Sequence, residues 1–396
     1  MEPIHERFIK PRYDSGGFAG IPDRVAGAFA SDRYDIVVLF LVDALGWRFF
    51  ERFQDAPFIK RIAKRGKIEK LISQFPSTTA ACLTTIHTGL PVGFNGVHEW
   101  TYYEPLVDEV ITPLLFSYAG TLERDTLKPS GIQPALLYPR GIFYPDLRRR
   151  GVTPYTFGSR EYTPSTYSNA VMDGAELRGF KTFTEALVNL GLLIDKQTNP
   201  AYLYLYFDKI DALCHEYGPT APQVEAEIET FLLVMEYYFE RLFMGRKRVL
   251  FLMTADHGMT EVDPQTTIYL NTDPRFSGFE RFIKTNRKGR LIVPAGSARD
   301  MFLYIWDDML DEARAFLTKR LAGKADVVKT ESLIADGYFG EVSSRFRERA
   351  GNLIILPYRY ESVWWYEKDR FEMKFYGHHG GLTPQEMETI LYSLEI

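Results

Sequence analysis

Asp35-Ile-Val-Val-Leu-Phe-Leu-Val-Asp43 is an unbroken apolar run, rich in Val and Ile and closed by an acid at each end. A strand with one solvated face alternates apolar and polar residues, so a run without alternation predicts a strand buried on both faces in a parallel sheet. Two later segments repeat it: Ala201-Tyr-Leu-Tyr-Leu-Tyr-Phe207 and Val249-Leu-Phe-Leu-Met253, each running into acidic residues. Between them Val224, Ile228, Phe231, Met235, Tyr238 and Leu242 recur every three or four positions, an amphipathic helix that Gly245 can close. Strand, helix and strand in that order predict an α/β fold, a doubly wound, mostly parallel sheet flanked by helices.

Working outward, residues 1–34 mix Pro, Gly and charge and read as an irregular lead-in. Residues 35–270 and 375–396 are assigned to the α/β core. Residues 271–374, with frequent Pro and Gly, short strands at Met301 to Ile305 and Leu353 to Ile355 and a helix at Leu310 to Leu321, are assigned to a smaller α+β insertion or cap. Thr383-Pro384-Gln385-Glu386 opens a final helix, with threonine as N-cap and proline in the first turn.

The 396 residues are 45% hydrophobic and 25% charged, ordinary globular usage that argues against disorder. Lys+Arg 47 against Asp+Glu 52 leaves a charge of -5, too little positive charge to grip a nucleic-acid backbone. Apolar runs fall short of the roughly 20 residues that span a bilayer, and the start is charged where a signal peptide needs an apolar stretch. Cys82 and Cys214 are the two cysteines, too few for a disulfide framework. The expected location is the cytoplasm, with no membrane or stable nucleic-acid partner. The basic clusters at Arg148 to Arg150, Arg246 to Arg248 and Arg287 to Arg290 lack interleaved aromatics and read as solvated surface. Oligomeric state is not encoded in any pattern here.

In open α/β sheets ligands bind beyond the carboxyl ends of the strands. Asp43 ends the first strand, Asp211 and His215 follow the second, and Asp256-His257 follow the third. Carboxylate and imidazole suit a divalent ion such as Zn²⁺, and three aspartates at one edge repel without cations between them. Of seven histidines (His5, His87, His98, His215, His257, His378 and His379), four lie in these motifs or in Gly377-His-His-Gly-Gly381. Phe75-Pro-Ser-Thr-Thr79 precedes a helix ending near Thr88-Gly89, so a first-turn threonine would face an anion held by free N–H groups. A threonine hydroxyl needs activation, which a coordinated divalent ion supplies.

Taken in order, these segments resemble the alkaline phosphatase superfamily and, within it, the nucleotide pyrophosphatase/phosphodiesterase branch. Val42-Asp43-Ala-Leu-Gly46 looks like that branch's first metal aspartate. Phe75-Pro-Ser-Thr-Thr79 looks like its nucleophile segment, which places Thr79 rather than Thr78 or Ser77 at the attacking position. Asp211 and His215 in Asp-x-x-x-His-x-x-Gly-Pro219, Asp256-His257-Gly258, and His379 in Gly377-x-His-Gly380 match the remaining ligand positions.

The resemblance implies two divalent ions, Zn²⁺ or alternatively Mn²⁺. One would be held by Asp43, Asp256 and His257 beside Thr79, the other by Asp211, His215 and His379, with His378 the alternative ligand. It also implies hydrolysis of a small-molecule phosphodiester or nucleotide pyrophosphate through a phosphothreonine on Thr79. Cys82 stands where the branch usually carries an asparagine that touches a phosphoryl oxygen. It and Trp100, which follows the nucleophile helix, are the candidate substrate contacts, though a small buried thiol is the plainer reading of either cysteine. Other aromatics, Trp364 and Trp365 among them, read individually as core. The insertion lies where it could cover the metal edge and select the substrate. The competing readings are a phosphomonoesterase or phosphomutase on the same core and a non-catalytic metal-binding sensor; the nucleophile pattern of a sulfatase is absent from Cys82-Leu-Thr-Thr-Ile86.

Overall fold

The computed structural model describes residues 8–396 apart from 244 and 247; His5 and the first seven positions lie outside the described residues. Its centre is a seven-stranded sheet: β1 (Ile36–Val42), β2 (Lys67–Ile72), β3 (Thr153–Ser159), β4 (Glu176–Phe180), β5 (Ala201–Phe207), β6 (Val249–Thr254) and β7 (Glu388–Glu395). The strand order is β2-β7-β6-β1-β5-β3-β4, and β1 pairs in parallel with both β5 and β6. All seven β1 residues are buried. Val38, Phe40 and Val42 point into one apolar layer and Val37, Leu39 and Leu41 into the other, as the two-residue period of a strand requires. One layer is closed by helices Pro57–Arg65 and Phe183–Asp195 and by the predicted amphipathic helix, Pro222–Phe243. The other is closed by Ile21–Ala30, Thr79–Thr88 and Phe143–Arg149. The chain is therefore an α/β fold with a mostly parallel sheet between helical layers.

Register sets the site. Val42 lies opposite Phe207, and Leu41 opposite Thr254, so the residues that follow β1, β5 and β6 leave the sheet at a common edge. The Asp43 amide still donates to the Phe207 carbonyl at 2.9 Å, carrying the pairing one residue past the strand.

Two expectations need correction. The lead-in is not all irregular: Ile21–Ala30 is a helix with proline in its first turn, and Phe18, Ile21 and Val25 are fully buried. The final helix is one turn, Pro384–Met387, closed by a Thr383/Glu386 capping box, after which the chain becomes strand β7. β7 runs antiparallel between β2 and β6, where two ready-made strand edges and the alternating Thr389, Leu391 and Ser393 against Ile390, Tyr392 and Leu394 outweigh the helical start signal. It also pins the end of β6: Thr254 Oγ1 donates to the Ile390 carbonyl at 2.6 Å, and Thr389 Oγ1 donates to the Ala255 carbonyl.

Between 271 and 374 a three-stranded antiparallel sheet (Met301–Leu303, Leu353–Pro357, Ala325–Lys329) carries helix Leu310–Arg320 on an apolar cluster that includes Phe279, Leu317 and Ile355. A second cluster joins Phe302 and Leu356 of this sheet to Phe75 and to Ala81 of the helix Thr79–Thr88. Both cysteines are free and buried, and no helix among the described residues is long and apolar enough to cross a membrane.

Phe40 is fully buried in the larger layer, its ring 5.3 Å from that of Phe251. Phe40→Ala is expected to lower unfolding stability by about 3–5 kcal/mol, read from the urea midpoint at unchanged m-value.

Candidate metal and phosphoryl-transfer site

Three loops and one helix meet at the sheet edge. After β1 the chain turns sharply at Ala44, whose φ is +62°, and the Ala44 amide donates to Asp256 Oδ1 at 3.2 Å. The same oxygen accepts the His257 amide at 3.0 Å, so one carboxylate oxygen locks two loops together. Gly46 and Gly258 make that crossing possible: a Cβ on Gly46 would come within 2.6 Å of the Gly258 backbone. Helix Lys209–Tyr217 places Asp211 and His215 one turn apart, and the loop 377–381 brings in His379.

Each metal-type imidazole is oriented the same way. Nδ1 of His215, His257 and His379 donates to the carbonyls of Gly377 (2.8 Å), Gly258 (2.9 Å) and Ser77 (3.0 Å), so all three leave Nε2 as an acceptor facing the site. His378 differs: its Nδ1 lies 2.9 Å from both the amide and the carbonyl of His379, and its ring nitrogens belong to neither group of converging donor atoms. Asp43 Oδ1, Asp211 Oδ1 and Asp256 Oδ2 are buried without a hydrogen-bond partner. His257 Nε2 lies 3.4 Å from both Asp43 Oδ1 and Asp256 Oδ2; His215 Nε2 lies 3.4 Å and His379 Nε2 3.7 Å from Asp211. Donor atoms of Asp211, His215 and His379 fall within 4.8 Å of one another, as do those of Asp43, Asp211 and His257. Asp211 thus touches both groups, and Asp256 joins the second through His257.

Burial, followed by repulsion from Asp256 and Asp211, holds the Asp43 carboxyl well above its ordinary range, and burial raises Asp256 as well. Burial, with His257 and His215 nearby, lowers His379, so it stays neutral. Imidazoles with Nε2 turned to the site and unpartnered carboxylate oxygens are what divalent cations require, so the residues present fit metal. When bound, such ions polarise phosphoryl oxygens and lower the pKa of a hydroxyl or water.

Thr79 is the first residue of helix Thr79–Thr88, which Thr78 caps by accepting the Ala81 amide. Thr79 Oγ1 lies 3.2 Å from His257 Nε2 and 3.5 Å from Asp43 Oδ2. The neighbouring hydroxyls are engaged elsewhere: Thr78 in the cap, and Ser77 in a clasp on the histidine loop. Ser77 accepts from His379 Nδ1, donates its amide to the Gly380 carbonyl at 3.2 Å, and donates Oγ to the Gly381 carbonyl at 2.8 Å. Nucleophile segment and ligand loop are thereby one hydrogen-bonded unit.

Cys82 is not in the cavity wall. Its thiol is fully buried behind the helix, 3.6 Å from both the Asp256 carbonyl and Ser73 Oγ, where burial pushes its pKa up. It is packing beneath the Asp256 loop rather than a substrate contact. Trp100 is half-exposed and lines a cavity of about 700 Å³ that opens onto Asp43, Thr79, Asp211 and His215.

Four contributing residues escape sequence reasoning. The Tyr206 hydroxyl donates to Asp43 Oδ2. The alternation Tyr202, Tyr204, Tyr206 on one face of β5 was the available signal, since a buried tyrosine needs a partner for its hydroxyl. Ser77 was visible only as a rival nucleophile. Arg299 and Glu386, both fully buried, form a two-pronged ion pair with 2.9 Å contacts, and Glu386 Oε1 also accepts the Gly381 amide at 3.0 Å.

Raised carboxyl pKa values make the metal-free chain lose stability as pH rises from their unfolded range near 4 toward the raised folded values. A bound cation favours the ionised form and reverses the sign. Added Zn²⁺ or Mn²⁺ is therefore expected to raise the melting temperature of metal-stripped protein more at pH 8 than at pH 5. An equal or larger rise at pH 5 would contradict this reading.

Comparison with known proteins agrees with the geometry. Residues 37–382 match the family model for type I phosphodiesterase / nucleotide pyrophosphatase. Human ectonucleotide pyrophosphatase/phosphodiesterase family member 7 is 24% identical over 246 residues, covering 60% of this chain and 51% of that protein. The chain thus spans about half the length of the relative it matches. Murine ectonucleotide pyrophosphatase/phosphodiesterase 5, solved as an inactive threonine-to-alanine variant with AMP, superposes with a TM-score of 0.66 at 15% identity, covering 90% of this chain and 87% of that one. The human form of that protein gives 0.66 at 16% identity over the same shares. These structural likenesses establish the fold, and the family match establishes membership: the chain belongs to the type I phosphodiesterase / nucleotide pyrophosphatase family of enzymes.

Proposed function

We propose that this chain hydrolyses phosphodiester or nucleotide pyrophosphate bonds through a covalent phosphoryl group on Thr79. The observation that carries this is the position of Thr79 Oγ1 at a helix N-terminus, 3.2 Å from His257 Nε2, with the two donor groups on either side of Asp211. Asp43, Asp256 and His257 would hold one divalent ion and Asp211, His215 and His379 the other, with Zn²⁺ favoured by the mixed N/O donors and Mn²⁺ compatible. The free N–H groups of the helix first turn receive a phosphoryl oxygen. Thr79 Oγ then gives up its proton and bonds to phosphorus as the bond to the leaving oxygen breaks, and the departing oxygen takes up a proton. Water next cleaves the Thr79–phosphorus bond and restores the hydroxyl. His257, His215 and His379 are aimed throughout by their Nδ1–carbonyl bonds.

The substrate side is aromatic. Trp100, Phe157, Tyr162, Trp364, Phe371 and Phe375 line the cavity, a wall suited to a planar leaving group such as a nucleoside, and the AMP bound to the murine relative is of that class. Residues of the insertion supply part of this wall, which makes it the substrate-selecting element. Three cations line the cavity: Lys374 pairs with Glu372 at 2.6 Å and Arg370 with Glu367, whereas Arg124 donates to the Leu114 carbonyl at 3.4 Å and has no carboxylate partner among the described residues, so the preference for diesters rests on the family match rather than on charge. Free, buried cysteines support a cytoplasmic location for the reaction.

The test is hydrolysis of bis(p-nitrophenyl) phosphate against p-nitrophenyl phosphate by metal-loaded protein. The diester is expected to be cleaved faster. Thr79→Ala is expected to lose at least about a thousandfold in kcat while keeping its metal. Faster monoester cleavage would support the phosphatase reading, and a Thr79→Ala variant within tenfold of wild type would remove Thr79 as nucleophile.

A further inference from the structure

Beside the ligand loop lies a second acidic feature that the mechanism does not use. Glu99 and Asp300 are both fully buried, and their carboxyl groups lie close enough to interact directly. One oxygen of each has an ordinary donor: Glu99 Oε2 accepts the Trp100 amide, and Asp300 Oδ1 accepts the Ser297 amide at 3.2 Å and its hydroxyl at 2.5 Å. The other two, Glu99 Oε1 and Asp300 Oδ2, have no N–H or hydroxyl donor. Two carboxyl groups can hydrogen-bond only if a proton lies between them. A cation is a poor alternative: a divalent ion needs at least four donors, and here only two carboxylate oxygens are free.

The surroundings leave the pair negative. Arg299 is committed to Glu386, whose charge acts on Asp300 in the same sense as Glu99. His98, adjacent in the chain, packs among Tyr102, Phe302 and Phe346, and burial lowers it to about 3, so it carries no charge. Burial raises Glu99 to about 8 and Asp300 well above its ordinary range.

The pair joins two segments that touch the ligand loop. Residues 99–101 are bridged to 296–300 by the Gly296 amide on the Thr101 carbonyl at 2.7 Å and by Thr101 Oγ1 on the Gly296 carbonyl at 3.1 Å. Asp300 and Ser297 in turn pack directly on Gly380: a Cβ there would lie 2.8 Å from Asp300 Oδ1 and 2.7 Å from Ser297 Oγ. Ser297 Oγ also lies 3.3 Å from the His379 carbonyl. We propose that Glu99 and Asp300 share a single proton and that this acid–carboxylate pair positions the loop carrying His379. Both are positioning residues, and Glu99 also forms part of the cavity wall.

Two measurements on the full-length, metal-loaded chain test it. The shared proton is read without reference to catalysis: between pH 5.5 and 8.5 the folded pair keeps a proton that the unfolded chain has lost, so stability falls as pH rises. Glu99→Gln keeps a hydrogen bond to Asp300 without needing that proton. Wild type is therefore expected to lose about 5 °C more in melting temperature than Glu99→Gln across this range. Parallel curves, or a third metal ion per chain, would overturn the shared proton. Positioning is read by chelator titration. Asp300→Ala and Glu99→Ala are expected to surrender metal at a chelator concentration at least tenfold lower than wild type, and Asp300→Asn within threefold of it. Alanine variants that hold metal like wild type would overturn the positioning role. This second arm rests on His379 being a ligand, so His379→Ala is the control: full metal retention by that variant would mean the ligand assignment had failed instead.

Discussion

Asp43, Asp211 and Asp256 leave three parallel strands at one sheet edge, where the backbone gives them no distance from one another. Their mutual repulsion in a buried setting is the constraint to which the rest of the site responds. Two responses are built into the chain: Asp256 Oδ1 is neutralised by two amides, and Asp43 takes the Tyr206 hydroxyl. The unpartnered oxygens that remain are matched by three imidazoles whose protons are all drawn outward by backbone carbonyls. Such an arrangement is unfavourable as bare protein and favourable around cations, which is why the donor set reads as a metal centre rather than a hydrogen-bonded core.

Precision comes from the elements behind the edge. β7 and its preceding turn grip the β6 end through Thr254, Ala255 and Gly258, whose amide donates to the Glu386 carbonyl at 2.8 Å. The buried Arg299–Glu386 pair ties the insertion to the same turn, and Ser77 clasps the histidine loop. The insertion and the metal-type edge are thereby held in one hydrogen-bonded frame.

Much of this was legible in sequence because the signals were local. The all-apolar runs of β1, β5 and β6 declare a doubly covered sheet, and the acids at their ends declare its working edge. The spacing of Asp211 and His215 and the Thr79 helix start are likewise contained within a few residues. What was not legible depended on distant partners. Glu388 to Glu395 becomes a strand because β2 and β6 leave edges to fill; Cys82 lies beside nucleophile residues in sequence, yet the helix turns it away from the cavity. Glu99 with Asp300, and Arg299 with Glu386, pair across wide sequence separations, and no spacing rule marks them.

The central claim is that Asp43, Asp256 and His257 on one side and Asp211, His215 and His379 on the other each hold a divalent ion next to Thr79. Anomalous diffraction at the zinc and manganese edges from metal-loaded crystals tests it most directly. The account predicts two peaks, one in contact with each ligand group and with Thr79 Oγ1 beside the first. A single peak, or peaks coordinated by His378 or lying away from Thr79, would contradict it.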